Sequence, residues 1–475
     1  MATPIPHNEA AFSLEEIVRA TGGRLEGPTA STRGVAIDSR AVTPGALFVA
    51  LRGERLDGHR FAADVVDAGA GALVVSEDAE LASSRAPRVR VADTTRALGD
   101  LAAMHRGRWA GNVIGVTGSA GKTSTKELVA AALEACGAAV SKTRGNLNNL
   151  IGVPMTLFCL EGAHDTAVVE MGTSEPGEIR RLGEIGRPDV AVVTLVSAAH
   201  TEGLGTVDDV AREKASLIET LSLRGKAVVD GDDPHLVALA EAAAPGRVLR
   251  FGRDEGCDVR LVSFSFDRDL RTIAVYDVRG VGRVEATLSL LGEPAARNGA
   301  AALAVVLARG LDVQEALPGL AAVAPTPGRL CPTTGGPFVI LDDSYNANPR
   351  STELAIQTAA AFAEARGVSF GVVLADMLEL GGESADEHAR IGRVAMAEGA
   401  RAAVFVGREM AAAAEAAREL GGDRVRHVAE APAAVAPIRE LCRPGDVVLV
   451  KGSRSMKTEA VVAALSRAVG PEVAS

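Results

Sequence analysis

Seven consecutive residues, Thr117-Gly118-Ser119-Ala120-Gly121-Lys122-Thr123, combine the types needed to hold a nucleotide's phosphates. Gly118 and Gly121 let backbone N–H groups turn inward toward phosphate oxygens. Ser119, Ala120 and Ser124 belong to the same phosphate-facing run. Lys122 brings a positive charge to the terminal phosphates, and Thr123 offers a hydroxyl to Mg²⁺. A short apolar run, Val113-Ile114-Gly115-Val116, precedes the loop, and a helical pattern from about Lys122 to Cys136 follows it. That order aims a helix N-terminus at the bound anion. The spacing departs from the common G-x-x-x-x-G-K-[ST] form, because Val116 stands five places before Gly121 and Gly115 one place earlier. The bland alternative is a glycine turn beside an exposed lysine. The strand before, the helix after and the Lys-Thr pair all argue against it.

Phosphoryl transfer also needs a cation to neutralise developing charge. Glu170 closes the apolar run Val168-Val169 and so stands at the carboxyl edge of a sheet, where such ligands gather. His200 follows another apolar run, in Ser197-Ala198-Ala199-His200-Thr201-Glu202-Gly203, where a structural role competes with metal contact. Lys214 ends Asp208-Asp209-Val210-Ala211-Arg212-Glu213-Lys214, and its pattern alone reads as a solvated helix lysine.

The elements that must position these residues form three regions. Residues 1–108 hold short β-type runs at Leu47–Leu51, Ala72–Val75 and Val89–Val91, closed by a helical stretch from Thr94 to Arg108. Residues 109–323 alternate strands (Val113–Val116, Thr166–Glu170, Val190–Val196, Ala227–Asp230) with helices, the signature of a parallel sheet covered on both faces. Cys257–Leu291 changes to alternating strands, an expected antiparallel appendage, before an apolar helix from about Ala295 to Arg309. After the linker Ala324-Pro325-Thr326-Pro327-Gly328, residues 324–475 resume the alternation with strands at Phe338–Leu341, Phe370–Leu374, Ala403–Val406, Val425–Val428 and Val447–Val450. The expected class is α/β: an N-terminal α/β domain, a central P-loop ATPase-type parallel-sheet domain and a C-terminal Rossmann-like domain.

Bulk properties narrow the partners. The 475 residues would fill about three domains of roughly 150 residues each. Apolar residues make up 47% but aromatics only 3%, so the cores must be built from Ala, Val and Leu. A net charge of -11 argues against nucleic acid, whose backbone is bound by clustered Lys and Arg. The five cysteines form no CxxC pair, which indicates neither a disulfide framework nor zinc and suits a reducing cytoplasm. The first residues, with Glu9, Glu15 and Glu16, lack the apolar core of a signal peptide. No apolar run approaches the roughly 20 residues a membrane span needs.

Longer runs carry a resemblance. Gly118–Lys126 and Gly145-Asn146-Leu147-Asn148-Asn149-Leu150-Ile151-Gly152-Val153-Pro154 resemble the Mur ligases of peptidoglycan precursor synthesis. Asp342-Asp343-Ser344-Tyr345-Asn346-Ala347-Asn348-Pro349 and Asp376-Met377-Leu378-Glu379-Leu380-Gly381 resemble the branch that acts on UDP-N-acetylmuramoyl-tripeptide and D-alanyl-D-alanine. Asp38-Ser39-Arg40 and Asp57-Gly58-His59-Arg60-Phe61 agree with a UDP-sugar-binding first domain. The resemblance implies an ATP- and Mg²⁺-dependent amide ligase. The tripeptide's terminal carboxylate is phosphorylated to an acyl phosphate, the dipeptide amine attacks that carbonyl, and phosphate leaves. UDP-N-acetylmuramoyl-pentapeptide and ADP are the other products. A cytoplasmic monomer serving cell-wall synthesis, cell shape and division is implied with it.

The same resemblance assigns roles. Lys122 would stabilise the transferring phosphoryl group; Thr123, Glu170 and His200 would hold Mg²⁺. Lys214 would be carbamylated, turning a cation into an anion able to ligate or orient the metal. Asn298 would contact adenine, Arg329 would reach ATP from the third domain, and Asp343 would lie on the ribose side. Ser39, Arg40, Asn148 and Asn149 would face the UDP-sugar, and Tyr345, Asn346 and Ser453 the dipeptide. Three positions depart from the family pattern. Arg297 stands where relatives have His, Ala215-Ser216 where they have Gly-Glu after the lysine, and Ala375 where Gly often precedes the Asp-Met-Leu-Glu-Leu run. Rival readings are a sister ligase adding one amino acid, a folylpolyglutamate ligase and a non-catalytic nucleotide switch. The diaminopimelate-adding ligases carry Asp-Asn-Pro-Arg, whereas this chain has Ala347-Asn348-Pro349-Arg350. A switch predicts loss of Lys122, Glu170 or Lys214, and all three are present.

Overall fold

The computed structural model describes residues 3–53, 56–80, 86–198 and 201–467. Three larger sheets organise these residues, in sequence order, beside a two-stranded pair near the N-terminus. The first is five-stranded. Val35–Ala36, Leu47–Val49, Ala72–Ser76 and Arg88–Val91 run parallel, and Arg24–Glu26 pairs antiparallel at one edge. The helix Thr94–Arg108 leads out of it, capped by Asp93, whose side chain accepts from the N–H groups of Thr95 and Arg96. Those donors lack partners in any helix's first turn, so the cap fixes where this helix starts.

The central sheet has nine strands. Asn112–Thr117 lies between Thr166–Glu170 and Val190–Val193, both parallel to it. All three are buried along their length apart from Asn112, as expected where helices cover both faces. The residues at their carboxyl ends, Thr117, Glu170 and Val193, therefore meet at one sheet edge. The strand expected over Val190–Val196 ends at Val193. There the Thr194 hydroxyl turns to donate toward the carbonyls of Thr117 and Ala120, at 3.1 and 2.6 Å, tying the strand end to the glycine loop.

The expected antiparallel appendage is present but not separate. Val259–Phe266, Thr272–Val278 and Gly282–Leu288 form a meander, and the first of them pairs parallel with Val248–Gly252. The meander thus extends the central sheet, and the apolar helix Gly292–Ala308 packs across it. Tyr276, fully buried in that layer, donates its hydroxyl to the Ala296 carbonyl at 2.8 Å.

The third sheet has six strands, in the order Cys331–Thr333, Val339–Asp343, Val447–Lys451, Phe370–Ala375, Ala402–Val406, Val425–Val428. Only the first pairing is antiparallel. Its helices include Pro349–Arg366, which begins at an Asn348 cap with Pro349 in the first turn and stops at Gly367 in the left-handed region.

Candidate active site

Between the central and third sheets lies a cavity of about 510 Å³, lined by both. On the central wall the glycine loop turns from the end of Asn112–Thr117 into the helix Lys122–Ala135. Gly118 has φ 146°, and a Cβ there would stand 2.0 Å from the Thr194 hydroxyl. Gly121 has φ 81°, and its Cβ would meet Asn298 Oδ1 at 2.7 Å. Both glycines are therefore required by conformation and by space. No side chain caps the helix start at Gly121, so the first-turn N–H groups remain available to an anion.

Lys122 Nζ donates to the Gly118 carbonyl at 2.6 Å. Lys122 meets solvent only through the cavity, so its exposure is intermediate, yet dense protein surrounds it. That burial pushes its ammonium below the usual lysine range, with Glu170 opposing the shift and Arg329 adding to it. Thr123 donates its hydroxyl to Glu170 Oε2 at 2.9 Å, and Asn148 Nδ2 donates to Glu170 Oε1 at 2.9 Å. Glu170 is 2% exposed and, among the described residues, has no Lys or Arg within ion-pair distance. Among the described residues only neutral donors reach this carboxylate, and both of its oxygens face Thr123 and Asn148 at the cavity. With the Thr123 hydroxyl it offers the hard oxygen ligands that Mg²⁺ takes. Among the described residues no three His, Cys, Asp or Glu side chains converge, so a metal here would lean on phosphate oxygens and water as well. His200 lies outside the described residues.

Lys214 is not solvated, contrary to the reading of its local pattern. It is 1% exposed on the helix Val207–Ala215, which a Thr206–Asp209 capping box starts. Burial, and then the positive charge of Lys122, push its amine down to about 7. Among the described residues its Nζ has no hydrogen-bond or ion-pair partner. Its neighbour Glu213 turns the other way and accepts from the N–H groups of Gly177 and Ile179.

Arg329, Asp343, Tyr345 and Asn346 line the third-domain wall of the cavity, opposite Lys122 and Asn298. The Arg329 guanidinium stacks on Tyr345 at 4.2 Å from the ring centroid. Asp343 is less free than a ribose-binding acid would be: Oδ1 accepts from Leu330 N, and Oδ2 pairs with Lys451 Nζ at 2.5 Å. Ser453 is 5% exposed and does not line the cavity; its Oγ accepts from Leu378 N at 2.9 Å. Asn149 lines the cavity, but its Oδ1 accepts from Ile151 N and Gly152 N. Ser39 and Arg40 sit apart, beyond the carboxyl end of Val35–Ala36, with Arg40 exposed and paired to Asp38. Arg297, the departure beside Asn298, donates from Nη2 to both carboxylate oxygens of buried Asp230 at 2.8 and 2.9 Å and from Nη1 to Asp232 Oδ2 at 2.6 Å.

Sequence reading overlooked Lys451 and Asn348. Lys451 follows the apolar run Val447–Val450, the same strand-end signal that flagged Glu170. Asn348 was legible only as a helix cap.

Residues 31–106 match the catalytic domain of the Mur ligase family, 116–306 the Mur ligase middle domain, and 328–454 the Mur ligase glutamate ligase domain. The chain is 36% identical over 464 residues to the UDP-N-acetylmuramoyl-tripeptide–D-alanyl-D-alanine ligase of Escherichia coli K12, spanning 96% of this chain and 98% of that protein. It is similar to the crystal structure of MurF from Acinetobacter baumannii, with a TM-score of 0.86, 31% identity and coverage of 98% and 99%. It is also similar to the MurF ligase of Thermotoga maritima in complex with ADP, with a TM-score of 0.80, 28% identity and coverage of 91% and 96%.

Proposed function

The chain belongs to the Mur ligase family, and we propose that it joins D-alanyl-D-alanine to UDP-N-acetylmuramoyl-tripeptide at the expense of ATP. The observation that carries the reading is the convergence of Lys122, Thr123 and Glu170 from one domain with Arg329 from the next on a single cavity. We assign residues 1–108 to the UDP-sugar, 109–323 to ATP and 324–475 to the dipeptide and to closure over the nucleotide.

A carboxylate is a poor electrophile, and phosphorylation gives it a leaving group. Lys122 holds its charge against the transferring phosphoryl group, and the uncapped N–H groups of Lys122–Ala135 add to it. Once the terminal phosphates are bound, Lys122 exchanges its bond to the Gly118 carbonyl for phosphate oxygens. The dipeptide amine then attacks the acyl phosphate carbonyl, the C–O bond to phosphate breaks, and the amine loses a proton. Thr123 and Glu170, with His200 as the family resemblance implies, would hold Mg²⁺, which would supply charge screening to the phosphates when bound. Lys214, with its amine poised near neutrality, adds CO₂ and releases one proton to become a carbamate. Asn298 and the Arg297–Asp230 pair border the adenine end, Tyr345 and Asn346 the dipeptide end, and Ser39, Arg40, Asn148 and Asn149 the UDP-sugar path. The acyl phosphate must be shielded from water, so the cleft closes before transfer. The reaction runs in the cytoplasm on a monomer.

The test supplies ATP, Mg²⁺ and UDP-muramoyl-tripeptide with D-alanyl-D-alanine or with single amino acids. Phosphate release should depend on the dipeptide. Release driven equally by a single amino acid, or by neither, refutes the reading.

A further inference from the structure

One contact joins the two walls of the cavity at the glycine loop itself. Asn348 caps the helix Pro349–Arg366 through Oδ1, which accepts from Ser351 N at 2.9 Å. Its Nδ2 points the other way and donates to the Ser119 carbonyl, 3.3 Å away and 229 residues distant in sequence. The two ends of the amide cannot be exchanged, because one faces a donor and the other an acceptor. Asn348 is 8% exposed, so the bond is largely shielded from water.

Both partners are held from behind. Ser119 N donates to the Leu195 carbonyl at 2.6 Å, and Ser119 Oγ donates to the Ser197 carbonyl at 3.1 Å. With its amide and hydroxyl fixed to the central sheet, its carbonyl is the remaining handle on this turn. On the other side, Lys451 Nζ donates to the Asn346 carbonyl at 2.9 Å, and Tyr345 N donates to the Gly328 carbonyl at 3.0 Å. Asp342 accepts from Ser344 N and Oγ. The segment leading to Asn348 is therefore rigid.

A helix cap alone does not call for asparagine: serine or aspartate supplies the acceptor equally well. What asparagine adds is the donor, and that donor is aimed at the phosphate loop. We propose that Asn348 is a positioning residue through which the third domain holds the loop in its phosphate-binding shape. The loop is then competent only when the third domain is docked, which ties phosphoryl transfer to a closed cleft. The inference rests on the ligase reading above.

The full-length chain carrying Asn348→Ser or Asn348→Asp tests it. Both keep the cap, so Tm should stay within about 2 °C of the parent. Losing one shielded hydrogen bond between domains should lower kcat about tenfold, while ADP affinity, set on the central wall, changes less than about threefold. Asn348→Ala removes cap and donor together and should lower Tm as well. X-ray scattering with a non-hydrolysable ATP analogue gives a readout independent of product formation: both cap-retaining variants should be more extended than the parent. Parent-like kcat and compactness in both overturn the proposal, as does a kcat loss fully accounted for by a fall in Tm. A parent that binds the analogue and closes, yet makes no product from the dipeptide, refutes the ligase reading and leaves the scattering comparison to decide the clamp.

Discussion

Lysines on the two walls of the cleft are treated in opposite ways. Lys122 on the central wall and Lys214, buried in the same domain away from the cavity lining, are surrounded by protein and have no carboxylate partner among the described residues, and burial pushes both ammonium groups down. Lys451 on the third-domain wall is 3% exposed but sits against Asp343 Oδ2 at 2.5 Å with the Asn346 carbonyl at 2.9 Å. An unpaired buried charge costs stability, whereas pairing and hydrogen bonds offset much of that cost until the partner is removed. The central domain leaves these two lysines without a carboxylate, one of them facing the cavity; the third-domain wall uses Lys451 to fix backbone. One wall performs the chemistry and the other supplies its geometry, so substitutions on the two should separate activity from stability.

The largest separation is expected at Lys122. Lys122→Ala removes the charge held against the phosphoryl group and should lower kcat/KM by about 10³-fold or more. The same change relieves a desolvated cation, so Tm should hold or rise. A loss below about tenfold in steady-state assays would remove Lys122 from phosphoryl transfer. Lys451→Met should do the reverse. It leaves Asp343, 13% exposed and still bonded to Leu330 N, without its cation and should cost about 2–3 kcal/mol of stability in denaturant titrations. Its kcat should fall with the loss of folded protein and of the bond that steadies the segment leading to Asn348, about tenfold at most beyond the folded fraction. Unchanged stability with strongly reduced kcat would move Lys451 to the chemical side of the comparison.

The contrast also explains what could be read from the sequence. Long apolar strands and capped helices declare themselves, and Thr94–Arg108, Thr166–Glu170 and Val425–Val428 lie where periodicity puts them. The edge strands Val140–Lys142 and Cys331–Thr333 do not. Each has three residues, one carries Pro332, and each is a strand only because a longer neighbour offers it a ladder. The central wall was legible because a phosphate loop is local, a single run whose types announce its chemistry. On the third-domain wall Arg329, Asp343, Tyr345 and Asn346 came only from the family resemblance, and Asn348 and Lys451 were missed because they act through partners that are far away in sequence. Lys214 shows the limit most sharply. Its helix position reads as solvent, and only packing between Val207–Ala215 and its neighbours turns it inward.

Lys214 also has a signature in pH. Its folded value, about 7, lies below the ordinary 10.5. Between these values the unfolded chain binds a proton that the folded chain does not, so stability rises with pH across that window. Below about 7 the folded amine is also charged and can no longer add CO₂. Activity should therefore fall on the acid side of about pH 7, and added bicarbonate should shift that limb. Lys214→Met should be more stable than the parent in CO₂-stripped buffer by roughly 2–4 kcal/mol near neutrality. It should also lose about 10²-fold in kcat, partly restored by short carboxylic acids. An acid limb indifferent to bicarbonate, with parent-like activity in the variant, would remove the carbamate from the mechanism.

The smallest expected effect lies at Ser453, where the two walls compete for one residue. Family resemblance puts Ser453 beside the dipeptide, whereas its Oγ accepts from Leu378 N and its N–H donates to the Asp376 carbonyl. Those bonds hold the loop after Phe370–Ala375, whose Glu379 carbonyl receives Glu202 N at 3.2 Å and the Thr201 hydroxyl at 3.3 Å from the central domain. Ser453→Ala removes one hydrogen bond to a backbone N–H at a partly exposed residue, which should cost about 1 kcal/mol of stability. The KM for D-alanyl-D-alanine should move by less than about threefold, since no direct substrate contact is lost. A rise of about tenfold in that KM, with stability unchanged, would return Ser453 to the substrate and make the third-domain wall chemical at this point as well.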